Sequence, residues 1–492
     1  MKTYVIISVL ATIALPCIAA DLGEFKNGEQ RAWAIVNPDR DYEAQLHNQK
    51  AVLDLLRNGV SVYWFANGAK PPAGLKRGDY VVFSSEIHAR YVAALMAQVP
   101  AARRLQLAGV TGWTGYRLSF PRVILDGNSY AKVEFYAWYY ECLRSGGFRF
   151  GNFGGSDARH LEGYGVLAVA GGSGGPDEKL GQVMRDFQKR GGAYVGSCNA
   201  CLIAKQPRAD KPQDKRLRMG LDLIEAQSPV VLDGGSDSVT KEVAADHPVM
   251  WHMPPEFVIR HANGPVMEVA GPSCVALAVL KEAKWKSNKK AVAEGKPIWL
   301  AGQRPGQGRV VIFGNHPEFG TKKYPDGHRG VYDAIFWCTA GDERAVELGG
   351  DKSDRPAGWF DLAAGQPQDA AKQIAAAQEQ VSLAIKANEA APKPKSDWRG
   401  TYKKLAHAEL SSLLASLEKM KMTGGGDKAG WFAGRREQLI AELLSSLKQW
   451  PSPLTWEPGD VMRNMPTESA AKFEEWARDY GYFLTADGRP AK

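Results

Sequence analysis

The stretch Gly192-Ala193-Tyr194-Val195-Gly196-Ser197-Cys198-Asn199-Ala200-Cys201-Leu202-Ile203-Ala204 constrains the fold of this chain more than any other. An apolar, strand-like run reaches a nucleophilic side chain and continues into a helical run through small residues. Such an elbow holds its central side chain in strained exposure above a sheet. Gly196 and Ala200 stand two residues either side of Cys198, where a bulky side chain would collide with the turn. The helix that follows offers backbone N–H groups and the positive end of its dipole, which together lower a thiol's pKa. The alternative reading is a tight turn that buries a structural cysteine.

Strands and helices alternate around this elbow. Arg122 to Leu125 reads as a strand, Ala131 to Leu143 as an aromatic-rich helix, and Gly165 to Ala170 as a strand leaving through Gly171-Gly172-Ser173-Gly174-Gly175. Leu180 to Lys189 is helical, Gly191-Gly192 turns the chain, and Arg309 to Phe313 is a late strand. Alternation of this kind predicts an α/β fold, a mostly parallel sheet flanked by helices over residues 121–341. Residues 21–120 read as an N-terminal α/β unit of unknown role, with strands at Ala32–Val36, Val60–Phe65 and Asp79–Ser84 and a helix from Tyr42 to Arg57. Residues 342–395 form an Ala/Gln/Lys/Pro-rich linker. Leucines at helical spacing, such as Leu439, Leu443 and Leu447, make 396–492 a C-terminal helical region.

The N-terminus carries Lys2, an apolar run from Tyr4 to Leu15, and small residues ending at Ala20. These flanks predict a secretory signal peptide over 1–20 and a protein exported to the periplasm or outside the cell. The run is shorter than the roughly 20 residues a membrane span needs, and no transmembrane span is expected in the mature chain. Loss of Cys17 leaves Cys142, Cys198, Cys201, Cys274 and Cys338, an odd number that cannot all pair within one chain. The formal charge of +8, from 62 basic and 54 acidic residues in 492, is thin over this length and disfavours a nucleic-acid partner.

A second chemical signal is Gly314-Asn315-His316-Pro317-Glu318, directly after the run Val310-Val311-Ile312-Phe313. In extended backbone, residues i and i+2 share a side, so Glu318 can hold the His316 imidazole and stabilise its charged form. Pro317 keeps the segment extended. Together with the elbow this makes a nucleophile, base and orienter set. The glycine run after the strand at 165–170 can aim backbone N–H groups at a developing oxyanion, placing a hole at Gly172 or Ser173 with the N–H of Asn199. Its spacing does not fit a dinucleotide fingerprint, and no cofactor is implied. His247, His252 and His261 match no metal-ligand spacing, and the prolines among them imply loops, so a surface or pocket-lining role is expected, with no metal. Phe135, Tyr136, Trp138, Tyr139 and Tyr140 read as core. Cys198 and Cys201 also spell C-x-x-C, an alternative pointing to dithiol chemistry in which the His-x-Glu segment has no part.

In this order the three elements resemble the class I glutamine amidotransferase-like superfamily, in which a Cys elbow is followed far downstream by His-x-Glu. The closest similarity is to the N-terminal domain type of biotin-protein ligases, whose closing segment is matched here by Gly306-Gln307-Gly308-Arg309-Val310-Val311-Ile312-Phe313-Gly314-Asn315-His316-Pro317-Glu318. The resemblance covers roughly 121–341. It implies a flavodoxin-like fold with Cys198 as nucleophile, His316 as base and Glu318 as orienter. No synthase or ligase domain accompanies it. The implied activity is therefore the hydrolytic half-reaction, on a small-molecule or peptide amide, through a thioester. The contrasting expectation is a non-catalytic ligand-binding or scaffold protein that retains the fold.

Overall fold

The apolar runs that predict strands form strands, but they assemble into two different kinds of sheet. The computed structural model describes most residues from 31 to 348, with short gaps of which 85–95 is the longest, and scattered positions between 375 and 411. All elements below belong to one compact unit, Cys17–Pro356. The expected signal peptide, Ser173, and all but those scattered positions of the linker and helical region beyond 348 lie outside the described residues.

In the first sheet, β1 (Arg31–Ile35), β2 (Ser61–Gly68), β3 (Tyr80–Ser84), β4 (Arg104–Leu107) and β5 (Trp113–Arg117) pair antiparallel in the order β4-β1-β3-β2-β5. Helix α1 (Tyr42–Arg57) spans the residues whose apolar spacing predicts it, burying Val52, Leu53, Leu55 and Leu56.

The second sheet carries the elbow. It is built from β6 (Val123–Asp126), β7 (Phe150–Phe153), β8 (Val166–Val169) and β9 (Ala193–Ser197), followed by strands from the next hundred residues. These are β10 (Ala226–Val231), β11 (Gly235–Glu242), β12 (Glu256–Ala262), β13 (Pro265–Val269), β14 (Cys274–Ala283), β15 (Pro297–Gly302) and β16 (Val310–Phe313). Nine of them run in the order β12-β11-β14-β15-β16-β9-β8-β6-β7, while β10 and β13 form a separate antiparallel pair. A last strand, β17 (Val346–Glu347), returns to the first sheet beside β5.

The sheet is mixed, which corrects the expected mostly parallel sheet flanked by helices. Only β16, β9, β8, β6 and β7 are mutually parallel, and every pairing from β12 to β16 is antiparallel. For β15 and β16 the reason lies in their connection. Residues 303–309 between β15 and β16 are too few for the crossover of a dozen or more residues that a parallel pairing requires. Burial follows the division: β6, β8, β9 and β16 are buried along their whole length, whereas β14 mixes buried and exposed positions.

Helix α2 (Glu178–Lys189) starts where the Asp177 carboxylate accepts the Leu180 N–H at 2.8 Å, and lays Leu180, Met184 and Phe187 on the sheet beside Tyr194 and Ile312. Helix α3 (Asn199–Ala204) follows the elbow directly. Helix α4 (Pro325–Thr339) is buried from Gly327 to Cys338, as expected of a helix enclosed on all sides.

Candidate active site

Cys198 closes β9 with φ 53° and ψ −115°, a backbone conformation that costs a non-glycine residue about 1–3 kcal/mol. The surroundings over-determine it. The Cys198 N–H donates to the Phe313 carbonyl at 2.7 Å, and the Cys198 carbonyl accepts from the Cys201 N–H at 3.0 Å. A methyl built on Gly196 would lie 2.5 Å from the Ala200 Cβ, so this pair of small residues is a steric condition of the turn. From behind, Trp138 on the π-helical segment Ala137–Arg144 donates its indole N–H to the Ser197 hydroxyl at 3.0 Å.

His316 leaves the C-terminal end of β16, beside β9. Its N–H donates to the Arg260 carbonyl at 2.8 Å, and its Nδ1 lies 2.9 Å from Glu318 Oε1. Its Nε2 lies 2.9 Å from the Ala262 carbonyl, which also accepts the Cys198 thiol at 3.3 Å. Both ring nitrogens therefore face acceptors, an arrangement satisfied by the doubly protonated imidazolium. Burial opposes that charge, but Cys198 and Glu318 outweigh it and hold His316 well above the usual histidine range. Glu318 is fully buried, its second oxygen has no hydrogen-bond partner among the described residues, and its main-chain carbonyl accepts from His328 Nε2 at 2.8 Å.

The glycine-rich exit of β8 meets this pair at Gly171. A methyl there would stand 2.8 Å from His316 Cε1 and 3.0 Å from Cys198 Cβ. Gly172 follows it, buried, and Asn199 opens α3. The ends of three parallel strands, β8, β9 and β16, thus converge at the carboxyl edge of the sheet, where open α/β sheets bind their ligands.

Sequence reasoning missed the Ala262 carbonyl, for which no side-chain signal exists, and Glu134, a buried acid just before Phe135 in the aromatic run. The expected core positions Phe135, Trp138 and Tyr139 are buried. Tyr136 lies outside the described residues, as does the side chain of Tyr140. Cys142, Cys198, Cys201, Cys274 and Cys338 are all free and buried.

The three histidines of 247–261 go to separate places. His247 packs on Trp337, and burial pushes it down to about 4. His252 faces the Asp333 carboxylate at 2.9 Å and lines a small recess with Asn37 and Tyr80. His261 is buried in β12, not in a loop, and burial takes it to about 3. Among the described residues, no group of three or more His, Cys, Asp or Glu side chains is placed to hold a metal ion, and no helix is long and apolar enough to cross a membrane.

No protein-family model matches the sequence, and no curated protein matches it. Solved structures similar to this chain include a protein described as ThuA-like from Bacteroides uniformis, at 13% identity and TM-score 0.32, covering 44% of this chain and 89% of that one. A second ThuA-like protein, from Parabacteroides merdae, aligns at 13% identity and TM-score 0.30 over 46% and 92%. A glutamine amidotransferase aligns at 19% identity and TM-score 0.28 over 43% and 98%.

Proposed function

We propose that this chain is an exported, cysteine-dependent hydrolase of amide bonds, with Cys198 as nucleophile, His316 as base and Glu318 as the residue that orients it. One observation carries the reading: a cysteine held at positive φ on a strand–helix elbow, next to a histidine whose far nitrogen is bonded to a buried glutamate. With the Cys198 proton held on His316, the Cys198 thiolate attacks the amide carbonyl, and the backbone N–H of Gly172 or Ser173, together with that of Asn199, receives the developing oxyanion. The proton on His316 goes to the departing amine, leaving a thioester on Cys198. Water then cleaves the thioester, returning its proton to His316 and releasing the carboxylic acid. The similarity of residues 306–318 to the closing segment of the biotin-protein ligase N-terminal domain type supports the same assignment of His316 and Glu318. The start of the chain, Lys2 through Ala20, supports export to the periplasm or beyond.

A specific contact favours the second reading, a binding protein that retains the fold: the Ala262 carbonyl engages both Cys198 and His316 Nε2. In the hydrolase, substrate binding has to displace one of these contacts. An activity-based thiol probe on the wild type and Cys198→Ala, competed with candidate amide substrates, tests the choice. Labelling confined to the wild type and protected by an amide supports the hydrolase; alkylation no faster than an ordinary exposed thiol at neutral pH overturns it.

A further inference from the structure

Glu318 is held by very little for a residue that orients a base. One carboxylate oxygen meets His316 Nδ1 at 2.9 Å, and the other has no hydrogen-bond partner among the described residues. Its main chain makes a single hydrogen bond among the described residues, accepted by its carbonyl from His328 Nε2 at 2.8 Å. The placement of the acid therefore depends on a side chain from α4, ten positions further along.

His328 suits that task. It is fully buried, and burial pushes its imidazole down to about 4, so the ring is neutral and one nitrogen carries the proton. A carbonyl can only accept, which puts the proton on Nε2 and leaves Nδ1 as an acceptor. Two hydroxyls face Nδ1: Tyr42, at the start of α1, at 3.3 Å and Tyr332 at 3.4 Å. Tyr332 gives its proton to the Cys142 carbonyl at 3.0 Å, so the donor to Nδ1 is Tyr42. Both tyrosine rings also pack on the imidazole, with centroids 6.3 and 5.8 Å from its own. The donors thus run in one direction, from Tyr42 to His328 to Glu318.

We propose that His328 and Tyr42 are positioning residues of this site: His328 places Glu318 through its main-chain carbonyl, and Tyr42 fixes the tautomer that lets it do so. The N-terminal unit, which carries none of Cys198, His316 and Glu318, then completes the site through the first residue of α1. Without the His328 bond the Glu318 segment shifts and its carboxylate loses Nδ1 of His316. The consequence for catalysis rests on the hydrolase reading; the placement of Glu318 does not.

The test is an NMR titration of the full chain with carbon-13-labelled histidine, His316 being assigned through His316→Gln. His328→Leu removes the donor and is expected to lower the His316 midpoint by ~1 pH unit, as loss of a close opposite charge does. His328→Gln can present an amide N–H where Nε2 stood and is expected to recover most of that shift, which a space-filling role would not do. Tyr42→Phe keeps the ring, removes the donor to Nδ1, and is expected to shift the midpoint the same way by less. The proposal is overturned by a folded His328→Leu that titrates like the wild type, by a His328→Gln no better than leucine, or by a Tyr42→Phe with the wild-type midpoint. Alkylation of Cys198 in the wild type keeps the two readings apart. Slow alkylation with a His316 shifted in the variants sinks the hydrolase and retains the positioning role, whereas fast alkylation with an unshifted His316 sinks the positioning role alone.

Discussion

Gly171→Ala is the most direct test of whether the glycine exit, the elbow and the histidine form one packed unit. The added methyl would lie 2.8 Å from His316 Cε1 and 3.0 Å from Cys198 Cβ, against an ordinary contact of at least 3.4 Å. Relief needs displacements of about 0.6 Å (3.4 − 2.8) and 0.4 Å (3.4 − 3.0), because repulsion rises steeply inside contact distance. Neither group is a flexible side-chain end. His316 is held by Glu318 and Ala262, and Cys198 by its main-chain bond to Phe313. Overpacking of this kind costs about 1–3 kcal/mol, or several degrees in melting temperature for a unit of this size. Misplacement of reacting groups on this scale is expected to slow Cys198 alkylation ~10–100-fold. The assay is thermal melting alongside the iodoacetamide reaction rate, with Gly109→Ala as control, where a methyl meets nothing within 4 Å. A Gly171→Ala protein that melts and labels like the wild type would refute the convergence of β8, β9 and β16 on one site.

Three further outcomes follow from the buried charges. Because His316 is held above its ordinary value, its pairing with Glu318 stabilises the fold fully below about pH 6.5 and loses that contribution as pH rises through the folded midpoint. Denaturant titrations should therefore show the wild-type advantage over Glu318→Gln shrinking at alkaline pH, and a growing advantage would contradict the pairing. For Asp79, burial raises the carboxyl from 3.8 to about 6 even though it accepts the Asn37 and Lys76 N–H groups. The folded state then holds a proton the unfolded chain has lost, so wild type should lose stability relative to Asp79→Asn between about pH 4 and 6 and stay level above; a flat difference across that window is the contrary result. Lys205 is wholly buried with its ammonium donating to the carbonyls of Gln206, Leu217 and Met219. Lys205→Met strands these acceptors and should cost about 2 kcal/mol or more, with faster proteolysis at residues 206–219.

Local signals carried far in this chain. The helix Tyr42–Arg57 is legible from its apolar spacing, and the elbow from its small residues, because both depend on contacts within a few positions. The His316–Glu318 bond is legible for the same reason: i and i+2 on extended backbone share a side whatever the fold does around them. The antiparallel half of the second sheet was not legible, since β11, β12, β14 and β15 find their partners through long-range pairing that no local run of residues specifies. His261 shows the same limit. Read as a loop residue among prolines, it sits inside a strand that pairs with β11.

By itself the sequence determined the strained cysteine turn, the extended His-Pro-Glu segment and the parallel strands that end in them, all products of short-range sterics. Only the tertiary structure decided what surrounds these groups. Ala262 lies 64 residues from Cys198 and 54 from His316, yet its carbonyl binds both. Glu134 is buried after β6, which β8 separates from β9 in the strand order. Long-range strand pairing sets both placements, and a charge buried by such pairing takes its protonation from neighbours that local sequence does not name.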